Sequence, residues 1–221
     1  MSIDMDQLLS EDVDIKNVMH AVFKKLEGGF SDLLGNIGKL EGPYSKIVEN
    51  LKEYALNTAE DQQQSPFFGL AKKYEALVDA QKQYIHDVTD DVLIVLQQLV
   101  SKSELLNDTI KDLSSVAKNA RKLSQKIDKI DADIEDAQAK GKPDKATKKL
   151  AEKETKTAEF NAAKDKLSDA KDKYDSLITN FNSERNELLK KSLTDLIADE
   201  KKYIEVMQSV IAEIEKAAEG L

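Results

Sequence analysis

Residues 66–140 and 144–219 form two stretches of near-equal length with helical spacing throughout and no proline beyond Pro66. Only Lys140-Gly141-Lys142-Pro143 separates them. Helix connections this short join antiparallel neighbours, so the two stretches must fold back on each other. At 1.5 Å per residue each would run roughly 110 Å. One globular core does not have that shape, and the expectation is an extended helical hairpin.

The composition agrees. Of 221 residues 34% are charged and 5% aromatic, with 8 Gly, 3 Pro and no Trp, the profile of long helices and coiled coils. No segment alternates with period two between turn signals, so no sheet is expected. Cysteine is absent, which removes disulfides, thiolate metal sites and thiol nucleophiles. Residues 1–14 carry Asp4, Asp6, Glu11, Asp12 and Asp14 and no base, unlike a signal or transit peptide. The most apolar window, Val88 to Val100, contains Asp90, Asp91, Gln97 and Gln98 and does not read as a membrane span. The expected location is cytoplasmic, with any membrane contact peripheral.

A first amphipathic region covers about 11–60, behind an acidic tail at 1–10. Its stripe includes Ile15, Val18, Val22, Leu26, Phe30, Leu33, Ile37, Leu40, Tyr44, Ile47, Leu51 and Tyr54. Gly42-Pro43 is expected to kink or break it. Gly28, Gly29, Gly35 and Gly38 weaken it, which points to close approach by a neighbouring helix. Asp61 to Ser65 is a loop, and Ser65-Pro66 reads as an N-cap followed by proline at the first helical position. The second helix, about 66–140, keeps Leu106, Ile110, Leu113, Ala117, Ala120, Ile127 and Ile134 in line. The third, about 144–219, aligns Leu150, Phe160, Ala163, Leu167, Ala170, Tyr174, Leu177, Phe181 and Leu188. It continues through Leu193, Ile197, Tyr203/Ile204, Met207, Val210/Ile211 and Ile214.

Large apolar residues are unevenly spread. There are 18 in residues 11–60, 18 in 66–106 and 13 in 179–219, but only 13 in the longer segment 107–178. The last has one narrow seam per helix, as a two-helix coiled coil needs. The expectation is an all-α fold: a three-helix body with a coiled-coil hairpin arm, forming one domain over 11–219. The run Val92, Leu93, Ile94, Val95 and Leu96 leaves no polar face, and a helix apolar all round is buried all round. A second copy would bury it, giving an antiparallel homodimer with that run at its core.

This layout resembles the BAR-domain family, dimeric helical modules that bind and bend membranes, in its three-helix form. The resemblance covers about 11–219 and is carried by Asn180 to Tyr203, with Arg185 and Leu189 spaced by four, and by Phe68 to Val100 with Tyr74 and Tyr84. The chain is too short for the longer F-BAR subtype. The basic lead segment of the N-BAR branch has no counterpart, since residues 1–14 are acidic. The resemblance implies dimerisation, anionic phospholipid as partner with phosphoinositides among the ligands, and a role in endocytosis or membrane trafficking.

Charge is also unevenly spread. Residues 118–156 hold twelve bases (Lys118, Arg121, Lys122, Lys126, Lys129, Lys140, Lys142, Lys145, Lys148, Lys149, Lys153 and Lys156) against eight acids, a balance of +4. The whole chain is −9, so the rest carries −13. Lys118, Lys122, Lys126 and Lys129 share one helical face, as do Lys142, Lys145, Lys149, Lys153 and Lys156. With a Debye length of about 8 Å at physiological salt, a basic arm tip would act independently of an acidic body. Lysine is attracted to anionic lipid by ~1 kcal/mol per residue, so these twelve are the candidate lipid-binding residues. The bland alternative is a solvated helix face laced with ion pairs.

A pI of 4.9 opposes nucleic-acid binding, and no aromatic residue is interleaved with the basic stripes. His20 and His86 are lone, without ligand-spaced partners. No P-loop, GxGxxG, HExxH, GxSxG or Glu-x-x-His motif occurs, so neither enzyme activity, metal nor cofactor is expected. The other readings are a soluble coiled-coil scaffold that recruits helical proteins through its acidic body, and a polymerising helical hairpin of the phage-shock type.

Overall fold

In the computed structural model residues 5–58 and 65–219 are described, and they are all-α, with no strand among them. The helices are α1 (Met5–Gly38), α2 (Glu41–Thr58), α3 (Pro66–Val88), α4 (Ile94–Ala139) and α5 (Pro143–Glu219). A single π turn, Thr89–Leu93, joins α3 to α4 without interrupting the helix. The chain divides into two compact units. One comprises the residues up to His20 with Ser101–Ser183, the other Ala21–Val100 with Glu184–Leu221.

The break in the first helical region lies at Lys39-Leu40, just upstream of the expected Gly42-Pro43. Proline acts on the carbonyl four residues before it, here that of Lys39, so the chain leaves the helix there. The Leu40 N–H makes a tight turn onto the Ile37 carbonyl (2.9 Å), and the Tyr44 N–H restarts the helix on the Leu40 carbonyl (3.0 Å). Pro43 then sits in the first turn of α2, where an N–H would have had no intrahelical partner. Buried Gln81 of α3 also donates to the Ile37 carbonyl, fixing the end of α1 against α3.

Ser65 occupies the expected N-cap with extended backbone and Pro66 follows it, but the hydroxyl makes no capping bond. The Ser65 carbonyl opens the helix by accepting from Phe68 and Gly69. The loop expected before it, at Asp61–Gln64, lies outside the described residues.

In the unit containing Ser101–Ser183, α4 and α5 pack antiparallel. Lys149 meets Asp133 and Lys153 meets Asp131, so one register number falls as the other rises. The reversal is a Schellman turn. Gly141 has φ 62, its N–H bonds the Gln138 carbonyl (3.0 Å), and the Lys142 N–H bonds the Ala137 carbonyl (2.9 Å). A narrow buried row follows: Ala117, Ala120, Leu123, Ile130, Ile134 and Ala137 on α4, with Ala146, Ala163, Tyr174 and Phe181 on α5. Ala120, Leu123 and Ala163 form one cluster, covered by Phe160. Small residues alternating with large ones suit a two-helix seam, in which each side chain fills a hole opposite.

In the other unit, α2 lies on α3 through Tyr44 and Tyr74 (centroids 6.0 Å apart) and Tyr54 edge-on to Phe67 (4.7 Å). Lys52–Glu75 (2.5 Å) and Lys82–Glu41 (2.9 Å) flank these contacts. α3 meets α5 through Tyr84, which stacks on Tyr203 (5.0 Å) and donates its hydroxyl to Glu200 (2.6 Å). Burial, then that hydrogen bond, pushes the Tyr84 phenol well above its ordinary value. The glycines of α1 do not mark close approach within the chain. A Cβ on Gly28, Gly29 or Gly35 would meet nothing within 4 Å, and one on Gly38 would make only ordinary contact with Ile85.

Candidate functional site

The twelve basic residues fall into distinct groups. Lys118, Lys122, Lys126 and Lys129 are exposed on α4, Lys142 is exposed in the turn, and Lys145 and Lys148 are exposed on the first turns of α5. None of these seven makes an ion pair among the described residues. Arg121 is exposed but engaged with a partner.

Lys149, Lys153 and Lys156 share one face of α5 as expected from their spacing, but that face borders the seam and is not open to solvent. They continue the buried row of α5 between Ala146 and Phe160, with side chains only 27%, 38% and 27% exposed. Their stems cover the seam while their ammonium groups snorkel to acids at its edge. Lys149 reaches Glu152 (2.9 Å) and Asp133 (3.2 Å), Lys153 reaches Asp131 (2.6 Å), and Lys156 reaches Glu159 (2.7 Å). Its hydrogen bond to Glu152, then that to Asp133, raises the Lys149 pKa. Lys140 pairs with Asp136 (2.8 Å) one turn back, and its hydrogen bond holds that carboxyl below its ordinary value. Leu150, expected in the seam, is 45% exposed instead. The buried row passes through Ala146, Lys149 and Lys153, which hydrophobicity alone does not reveal.

A second feature belongs to the other unit. The apolar residues of α5 beyond residue 184, expected to lie along one stripe, divide between two faces. Val210 and Ala217 are buried and Tyr203 half-buried, whereas Leu193, Ile197, Ile204, Met207, Ile211 and Ile214 remain exposed. Their spacing of three, four and seven makes them one continuous bare row. On α1, Val22, Leu26 and Leu33 form a similar exposed row, with Gly29 at its centre. In the Val92–Leu96 run, Val92 and Leu96 are buried within the chain, Leu93 and Val95 are half-buried, and Ile94 is 41% exposed.

His20 Nδ1 lies 2.8 Å from the Ser103 hydroxyl, and His86 lies 3.7 Å from Asp90. Among the described residues no three acids or histidines are grouped to hold a metal ion, and no helix is long and apolar enough to cross a membrane.

No family model and no curated protein matches the sequence. Among solved structures, the chain is similar to the N-terminal I-BAR domain (1–259) of IBARa from D. discoideum, at 15% identity. The likeness covers 96% of this chain and 92% of that one, with a TM-score of 0.42.

Proposed function

We propose that the protein is a dimeric peripheral membrane-binding module. In this reading the basic residues of the α4–α5 hairpin bind anionic lipid, and the module senses or shapes curvature. The observation that supports it is the set of seven exposed lysines, Lys118, Lys122, Lys126, Lys129, Lys142, Lys145 and Lys148, which make no ion pair among the described residues in a chain of net charge −9. At ~1 kcal/mol per basic residue near an anionic surface, a few lysines per copy, doubled by pairing, give useful affinity. Curvature and phosphoinositide selectivity enter through the BAR-domain resemblance.

Pairing rests on the bare rows of α5 and α1. Six large aliphatic side chains along one helix face form the kind of contiguous apolar patch that marks an interaction site. A second copy is the proposed cover, and Gly29 would let two helices approach closely there.

The test is co-sedimentation with anionic liposomes at rising salt, repeated with Lys142, Lys145 and Lys148 changed to Glu. Lys149 stays intact because it holds the seam. Binding that weakens with salt and is lost in the triple variant supports the proposal; unchanged sedimentation sinks it. The bare α5 row equally suits a scaffold that recruits other helices. That second reading predicts no liposome binding at any salt.

A further inference from the structure

The contact between Lys149 and Asp133 fixes where the two lysine rows of the hairpin lie. On α4, Lys118, Lys122, Lys126 and Lys129 recur at spacings of four, four and three, and Asp133 follows four residues later on the same helical face. On α5, Lys145 and Lys149 are likewise four apart. Lys149 Nζ stands 3.2 Å from Asp133 Oδ2 across the hairpin, so the two rows border the seam on one side. Lys129 is one turn from Asp133 and Lys145 one turn from Lys149. Because the helices are antiparallel, these two exposed lysines flank the contact from opposite ends.

Asp133 is therefore an acid set into a basic face. A second acid joins it there. Glu152 Oε2 lies 2.9 Å from the same Lys149 ammonium, and both carboxylates are exposed while Lys149 is half-buried. Lys153 differs. Its partner Asp131 is in line with Asp128 and Glu135, three residues before it and four after, on the other border of the seam.

Magnitudes decide what the two acids do to Lys149. An exposed ion pair is individually weak, and the attraction of one lysine to an anionic surface is of the same order. A lysine that must leave its carboxylates to reach lipid thus adds almost nothing to adhesion. We propose that Asp133 and Glu152 form an internal latch that withholds Lys149 from anionic lipid. The lipid phosphate presents oxygens to the ammonium as the two carboxylates do, and competes with them for it. Once the latch is neutralised, Lys149 joins Lys129 and Lys145 as one cluster of phosphate-binding cations. The latch rests on the lipid-binding reading of the hairpin and adds to it an autoinhibitory contact.

The test is co-sedimentation of the full chain with phosphatidylcholine vesicles containing phosphatidylserine, at fixed ionic strength. Asp133→Asn with Glu152→Gln is compared with Asp128→Asn with Glu135→Gln. The second pair removes the same charge from the same hairpin, but neither of its acids makes an ion pair among the described residues. The latch pair is expected to tighten binding about fivefold beyond the control pair, which corresponds to the ~1 kcal/mol of one lysine near an anionic surface. Adding Lys149→Gln should abolish that excess, whereas Lys149→Gln alone should leave binding close to the parent's. Circular dichroism checks that each variant folds. The comparison of the two acid pairs keeps Lys149 in place, so it decides the matter even if the Lys149 variants unfold. Equal gains in both pairs, or an excess that survives Lys149→Gln in a folded protein, overturn the latch. A parent that ignores the vesicles fails the lipid-binding reading on its own. In that case the latch stands if the Asp133/Glu152 variant binds where the control does not, and falls if it does not bind.

Discussion

Lys149 reaches across the hairpin to Asp133, 3.2 Å away, from the half-buried edge of the α5 seam. Its charge clamps two helices together, while Lys145 and Lys148, four and one residues earlier, point to solvent unpaired. Residues alike in type and nearly adjacent thus do different work, and mutagenesis can separate them.

Charge reversal at Lys153 sets a glutamate against Asp131 in the seam. The expected result is a melting temperature lowered by roughly 2–4 °C, read by circular dichroism. Reversal of Lys142, Lys145 and Lys148 together leaves melting unchanged. It weakens anionic-liposome binding by well over a hundredfold, since losing three attractions at ~1 kcal/mol each already amounts to that and the glutamates add repulsion.

Gly28 and Gly35 lie on α1 away from its bare row, with open space where a Cβ would stand. Each Gly→Ala change there is expected to stabilise by ~0.5–1 kcal/mol. Gly141→Ala should do the reverse, at ~1–2 kcal/mol, because its φ of 62 is left-handed. Thermal melts of the three single variants check both signs.

Ile197→Glu with Ile204→Glu places charges in the bare row of α5. Both side chains are already exposed within the chain, so folding should persist. Light scattering should show a parent dimer and a monomeric double variant. A parent that is itself monomeric refutes the pairing.

Asp91 gives a pH signature. Its carboxyl is raised above the ordinary 3.8, chiefly by burial and then by Asp195 and Asp199. The folded state therefore holds the proton to higher pH than the unfolded chain. The stability this contributes is fully present below pH 3.8 and is lost as pH rises through the folded value. Asp91→Asn should accordingly melt higher than the parent at pH 7, with the gap closing on acidification towards pH 4. A gap independent of pH would contradict this account.

The helical class and the reversal at Gly141 were legible because proline, glycine and apolar period act locally. The break near Pro43 was legible too, displaced because proline disturbs the carbonyl four residues before it. The lysines of the seam were not. A row reading Ala146, Lys149, Lys153, Lys156, Phe160 has helical spacing, but a search for apolar residues moves it onto Leu150. The two faces of α5 merged for a similar reason, since Tyr203 with Ile204 and Val210 with Ile211 are adjacent pairs that satisfy either stripe. The π turn did leave a trace: buried Tyr84, Val88, Val92 and Leu96 are separated by three successive fours, wider than a regular α-helix keeps in line.

The turn at Gly141 seals the last carbonyls of α4 with backbone N–H groups alone. No side chain at 142, 145 or 148 is recruited to close the bend. The hairpin's extremity can therefore gain or lose charge by substitution while the chain reversal beneath it persists. How strongly the molecule adheres is thereby open to gradual adjustment, separately from how it folds.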